Sequence, residues 1–133
     1  MARYEPGGGL SVVADRFQGK RLNSPNDVVV HPDGSIWFTD PMYGINGNYE
    51  GFKSDSELPM AVYRVDARSG QIARVTDEMT GPNGLCFSPD YKQLYVADPG
   101  GPSPHGIDVY DVVNGSKLKG KRRFCSMELN GKD

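Results

Sequence analysis

A strand–turn–strand pattern occurs twice in this chain, and an internal repeat of that kind narrows the folds open to it. The first copy is Ser24-Pro25-Asn26-Asp27-Val28-Val29-Val30-His31-Pro32-Asp33-Gly34-Ser35-Ile36-Trp37-Phe38-Thr39-Asp40-Pro41. The second is Gly81-Pro82-Asn83-Gly84-Leu85-Cys86-Phe87-Ser88-Pro89-Asp90-Tyr91-Lys92-Gln93-Leu94-Tyr95-Val96-Ala97-Asp98-Pro99. Pro25 matches Pro82, Asn26 matches Asn83, and Asp40-Pro41 matches Asp98-Pro99. The offset grows from 57 residues at the asparagines to 58 at the aspartates, so the second turn is one residue longer.

Each copy reads as part of a four-stranded unit. In the first, Asp27 to Val30 is short, apolar and β-branched, which predicts a strand buried on both faces. His31-Pro32-Asp33-Gly34 reads as a tight turn, because Pro presets φ and Asp-Gly favours positive φ. Ser35 to Thr39 returns, Ala61 to Asp66 is the third strand, and Gln71 to Thr76 is a more polar fourth. In the second copy, Gly84 to Ser88, Gln93 to Ala97 and Ile107 to Val112 follow the same plan. Asn114-Gly115 signals a hairpin, and Lys117 to Ser126 holds the last strand. Residues 1–9 read as a loose lead, Leu10 to Ala14 as an outer strand with no earlier partner, and Asp15 to Asn23 as a connection.

Repeated four-stranded units of this period are the signature of β-propeller blades, which bury their faces only against neighbours in a closed ring. The fold class expected is therefore all-β: strand 10–14 of a preceding blade, one blade over 27–76 and another over 84–126. Because propellers have about 4–8 blades, the chain reads as an internal piece. Its unpaired blade edges would invite self-association, for example as a ring of two-blade units. The competing fold is a β-sandwich of two four-stranded sheets.

Composition agrees with a turn-rich β protein: hydrophobic residues make up 37%, with 17 Gly and 10 Pro. A net charge of -2 argues against a nucleic-acid partner. The densest basic stretch, Lys117 to Arg123, reads as a solvated strand. No apolar run approaches the about 20 residues that cross a membrane. No signal-peptide pattern stands at the N-terminus, so a cytoplasmic location is expected. Cys86, in an apolar run, reads as a small buried residue.

The chemistry expected follows from the repeat. Asn26 and Asn83 each precede an innermost strand, so they should stand one blade apart on the same mouth of the channel. Two amide oxygens converging there, with carboxylates from elsewhere, suit a hard cation. Pro-Asn is equally a turn signal whose side chain satisfies nearby backbone. Asp40 and Asp98 end the second strands and either face the same mouth or bond backbone N–H groups. Asp27 departs from its repeat partner Gly84, which singles it out as a site residue. Loop 42–60, carrying Tyr43, Tyr49 and Phe52, is the expected lid. His31 reads as a solvated turn residue, and His105 sits in a Gly/Pro-rich loop. There is no Gly-x-Ser-x-Gly elbow, Cys-x-x-Cys pair or phosphate loop.

Leu22-Asn23-Ser24-Pro25-Asn26-Asp27-Val28 and Pro32-Asp33-Gly34-Ser35-Ile36-Trp37-Phe38-Thr39-Asp40-Pro41-Met42-Tyr43-Gly44 resemble the gluconolactonase branch of the regucalcin (senescence marker protein)/gluconolactonase/luciferin-regenerating-enzyme-like family. Gly81-Pro82-Asn83-Gly84-Leu85 and Leu94-Tyr95-Val96-Ala97-Asp98 fit the family's next block. The resemblance implies a six-bladed propeller with one divalent metal, Ca²⁺ first and Zn²⁺ or Mn²⁺ as alternatives. It implies hydrolysis of a sugar lactone such as glucono-1,5-lactone to the aldonic acid. Asn83 falls on a metal-ligating Asn, and Asn26 on one that contacts substrate or a metal-bound water. Asp27, Asp40 and Tyr43 join Asn26 as expected substrate-site residues.

The family mechanism polarises the lactone carbonyl and activates a bound water, with a later Asp as general base. This sequence departs from the family at three points. The N-terminal Glu block is absent, the later Asp-Gly block would fall beyond Asp133, and Ser24 stands where some members carry Arg. With two neutral amides in place of a full ligand set, weak metal binding is expected, and the piece on its own is expected to be inactive. The alternative function is a propeller module that binds a ligand or protein without catalysis.

Overall fold

The computed structural model describes residues 1–101 and 105–132, in which every regular element is a β-strand. The strands are β1 (Ala2–Tyr4), β2 (Leu10–Val12), β3 (Arg16–Phe17), β4 (Lys20–Arg21), β5 (Val28–Val30), β6 (Ile36–Asp40), β7 (Ala61–Val65), β8 (Ile72–Thr76), β9 (Leu85–Phe87), β10 (Gln93–Asp98), β11 (Gly106–Val113) and β12 (Lys117–Ser126). They form two hairpins, β1-β2 and β3-β4, and two antiparallel four-stranded meanders, β5-β6-β7-β8 and β9-β10-β11-β12. The meanders are blades of a β-propeller, stacked face to face with β5 near β9 and β8 near β12. No helix among the described residues is long and apolar enough to cross a membrane. Of the loop read over Pro99 to His105, residues 102–104 lie outside the described residues, as does Asp133.

Strand alternation explains how each blade uses both faces. In β6, paired with β5 as Val29↔Trp37 and with β7 as Trp37↔Arg64, Trp37 points toward the second blade. There it joins Val62, Met79, Leu85, Leu94, Val96 and Tyr110 in one apolar cluster. Phe38, one residue on, points the other way and packs with Ala14, Leu22, Leu58, Ala61, Tyr63 and Val65. Trp37 is wholly buried, its Nε1 donates to Ser35 Oγ at 3.0 Å, and its ring meets Phe87 edge-on at 5.4 Å.

Several expectations change here. Residues 1–9 are not a loose lead: β1 pairs with β2 as Arg3↔Ser11, across a turn closed by Gly8 N donating to Glu5 O. The connection 15–23 holds a second hairpin, turned at Gln18 and Gly19, both with positive φ. β5 is not buried on both faces, since Val28 is 49% and Val30 62% exposed. They share a face with Ile36 and Phe38, and the N-terminal hairpins cover only the outer part of it. Cys86 is exposed. Its neighbours Leu85 and Phe87 take the interface side of β9, which turns Cys86 with its cross-strand partner Tyr95 to the open face of the second blade. His31 is not a solvated turn residue: its ring sits edge-on to both Phe87 and Tyr91 and helps clamp the two blades together. Tyr91 itself takes φ 58°, where the shorter first turn uses Gly34 at φ 83°.

Candidate functional site

The repeat builds the same anchor twice. Both carboxylate oxygens of Asp40 accept backbone N–H groups, from Asn23 and Ser24, each at 2.9 Å. In the second blade Asp98 accepts Thr80 N at 3.1 Å and Gly81 N at 2.7 Å. Each aspartate thus holds the chain just before a Pro-Asn step. The asparagines are then pinned alike, Asn26 N to Thr39 O and Asn83 N to Ala97 O, both at 2.9 Å. Two equivalent Pro-Asn steps therefore stand side by side at the same end of neighbouring blades.

They share one cleft of about 500 Å³, lined by Ser24, Pro25, Asn26, Tyr43, Gly44, Glu50, Asn83 and Pro99. Tyr43 joins the halves. Its hydroxyl donates to Gly81 O at 2.7 Å, beside Asn83 on the same cleft. Burial raises the Tyr43 pKa, and the charges of Asp98 and Glu50 push the same way.

The loop after β6 is folded back on itself. Ser24 Oγ donates to Pro41 O at 2.6 Å and accepts from Gly44 N at 3.0 Å. A Cβ on Gly51 would lie 2.2 Å from Gly44 O, so only glycine allows this approach. That fold brings Glu50 to the cleft, while Tyr49 and Phe52 are 98% and 88% exposed.

The predicted site residues therefore divide. Asn26, Asn83 and Tyr43 come together. Asp40 does not line the cleft: it is fully buried, and burial pushes its pKa up to about 6 even as the Asn23 and Ser24 amides pull it down. Its role is to shape the Pro25-Asn26 step, the alternative already open for it. Asp27 also turns away from the cleft, with Oδ1 accepting its neighbour Val28 N and Oδ2 accepting Leu85 N, each at 2.9 Å. His105 lies with Nε2 3.2 Å from Gly101 O and does not line the cleft. Glu50 was missed. The signal available was a carboxylate between the aromatics of a long glycine-rich loop, but only the Gly44–Gly51 contact shows which way it turns.

Amide oxygens and one carboxylate are hard donors, which suit Ca²⁺, Mg²⁺ or Mn²⁺ in kind. In number they fall short, since no group of three His, Cys, Asp or Glu able to hold a metal occurs among the described residues.

Comparison with known proteins gives a consistent picture. The family model described as SMP-30/Gluconolactonase/LRE-like region matches residues 1–132. A gluconolactonase of Zymomonas mobilis is 37% identical over 102 residues, 77% of this chain and 28% of that protein. A lactonohydrolase of Aspergillus oryzae is 32% identical over 143 aligned positions, 91% of this chain and 32% of that protein. The solved structure of a gluconolactonase from Xanthomonas campestris superposes with a TM-score of 0.84 at 39% identity, covering 92% of this chain and 40% of its own. The chain thus spans about a third of the length of the curated relatives it matches.

Proposed function

The chain belongs to the SMP-30/gluconolactonase/LRE-like family, and on that basis we propose that its paired-asparagine cleft is part of a site that hydrolyses a sugar lactone such as glucono-1,5-lactone to the aldonic acid. The observation that carries this reading is the convergence of Asn26, Asn83, Tyr43 and Glu50 on one cleft at the mouth of two blades. A cyclic ester bearing hydroxyls calls for polar contacts around its ring and an electrophilic partner at its carbonyl.

In this reading Asn83 is the metal ligand of the chain, with Asn26 beside it and Glu50 within the same cleft. Ca²⁺ is the cation proposed, since each donor is a hard oxygen. When bound, such a cation supplies Lewis-acid polarisation of a carbonyl and a more acidic bound water. The chain's own residues do the rest of what is assigned to them. Asn26 donates its NH₂ to a lactone oxygen, and the Glu50 carboxylate accepts from a sugar hydroxyl. Tyr43 ties the loop after β6 to Gly81, two residues before Asn83, while Asp40 and Asp98 hold the two Pro-Asn steps.

A pH-indicator assay of glucono-1,5-lactone hydrolysis by the protein in its full length, rather than by these 133 residues alone, with and without Ca²⁺, tests the proposal. Metal-stimulated turnover above the spontaneous rate is expected. Turnover at the spontaneous rate under every metal condition would sink it and favour a binding module.

A further inference from the structure

We propose that Asp27 is a positioning residue that fixes Asn26 and Asn83 relative to each other across the blade boundary. The inference rests on reading those two asparagines as the lactone-binding pair. The two blades meet face to face, so no backbone ladder ties β5 to β9. Leu85 opens β9, a strand with a free inner edge, and its N–H points out of the β9-β10 pairing. Asp27 Oδ2 accepts that N–H at 2.9 Å, a charge-assisted bond between strands of different blades.

The rest of Asp27 is tied as firmly. Its N–H donates to Thr39 Oγ1 at 3.1 Å, its carbonyl accepts Thr39 N at 3.0 Å, and Oδ1 accepts Val28 N at 2.9 Å. Asp27 directly follows Asn26, and Leu85 lies two residues after Asn83. The bond therefore closes a short bracket around the pair: Asn26, Asp27, Leu85, Asn83. Asp27 itself does not line the shared cleft, so any effect on chemistry passes through the asparagines. The repeat places Gly84 at the matching position of the second blade, with no side chain to form such a bond. Two donors that must meet one ligand tolerate little drift, because about 1 Å of misplacement can cost roughly a hundredfold in rate.

Asp27→Ala and Asp27→Asn in the intact protein test the idea. Alanine removes the acceptor, whereas asparagine keeps one oxygen for Leu85 N. In Asp27→Ala the Leu85 amide should exchange with solvent about tenfold faster while β10 amides hold, and kcat/KM for glucono-1,5-lactone should fall roughly ten- to a hundredfold. Asp27→Asn should recover most of both. An unchanged Leu85 amide, activity of Asp27→Ala within about twofold of the parent, or an Asp27→Asn as impaired as Asp27→Ala would each overturn the proposal. If the parent protein hydrolyses no lactone, the functional reading falls, and Asp27 is judged by NMR alone. Shifted Asn26 and Asn83 side-chain amide signals in Asp27→Ala then support the positioning role, and unmoved signals overturn it.

Discussion

Replacing Tyr43 with phenylalanine removes one oxygen and the hydrogen bond that ties the loop after β6 to the second Pro-Asn step. The bond to Gly81 O, at 2.7 Å, satisfies the carbonyl of a buried residue. Gly81 lies two residues before Asn83, so the same bond steadies the approach to a residue of the cleft. A neutral hydrogen bond contributes about 0.5–1.5 kcal/mol net, and the substitution should cost about that much stability. The loss should read as about 1 kcal/mol in urea unfolding with an unchanged slope. Loosening of the Gly81–Asn83 step should appear as lost transition-state binding, about 1 kcal/mol, or roughly fivefold in kcat/KM. A double-mutant cycle separates direct from indirect action. If Tyr43 works through Asn83, then Tyr43→Phe should have no further effect on activity in an Asn83→Ala background. Full additivity of the two activity losses would refute the reasoning, since it would mean that Tyr43 touches the reaction independently.

Trp37→Ala empties the centre of the contact between the blades and should destabilise by about 3–5 kcal/mol, read as a shifted urea midpoint; a loss under about 1 kcal/mol would mean that the blades do not depend on this cluster. Asp40 gives a pH signature. Its folded pKa of about 6 stands above the ordinary 3.8, so between those values the folded chain holds a proton that the unfolded chain has released. The stability this contributes is complete below about pH 4 and lost as pH rises through 6, to a total of roughly 3 kcal/mol. Urea unfolding at pH 4.5 and 7 should therefore show a pH dependence in the parent that Asp40→Asn lacks; identical dependences would show that Asp40 titrates normally.

The blade pattern was legible because it is written twice. The two meanders and the side-by-side Pro-Asn steps follow from matching residues, and Tyr43 stands out beside them. What could not be read lies where the repeat gives no second copy. The N-terminal hairpins are two- and three-residue strands among Gly, Arg and Lys, too short for any period to declare itself. The exposure of Val28, Val30 and Cys86 depends on which blade faces are covered, a property of neighbours rather than of the strand. Asp27 and Asp40 carry the right charge for a site, and only geometry shows their oxygens already taken by backbone amides. Glu50 reached the cleft through a glycine contact seven residues long, which no spacing rule encodes.

The most direct test of the account compares kcat/KM for glucono-1,5-lactone in Asn26→Ala and Asn83→Ala, with Cys86→Ala as the control outside the cleft. Losing a group that contacts substrate or cation should cost about a hundredfold or more at each asparagine, with added Ca²⁺ partly rescuing Asn83→Ala and not Asn26→Ala, while Cys86→Ala stays at the parent level. Equal activity in all three would contradict the account, because the cleft between the two Pro-Asn steps would then have no part in the chemistry.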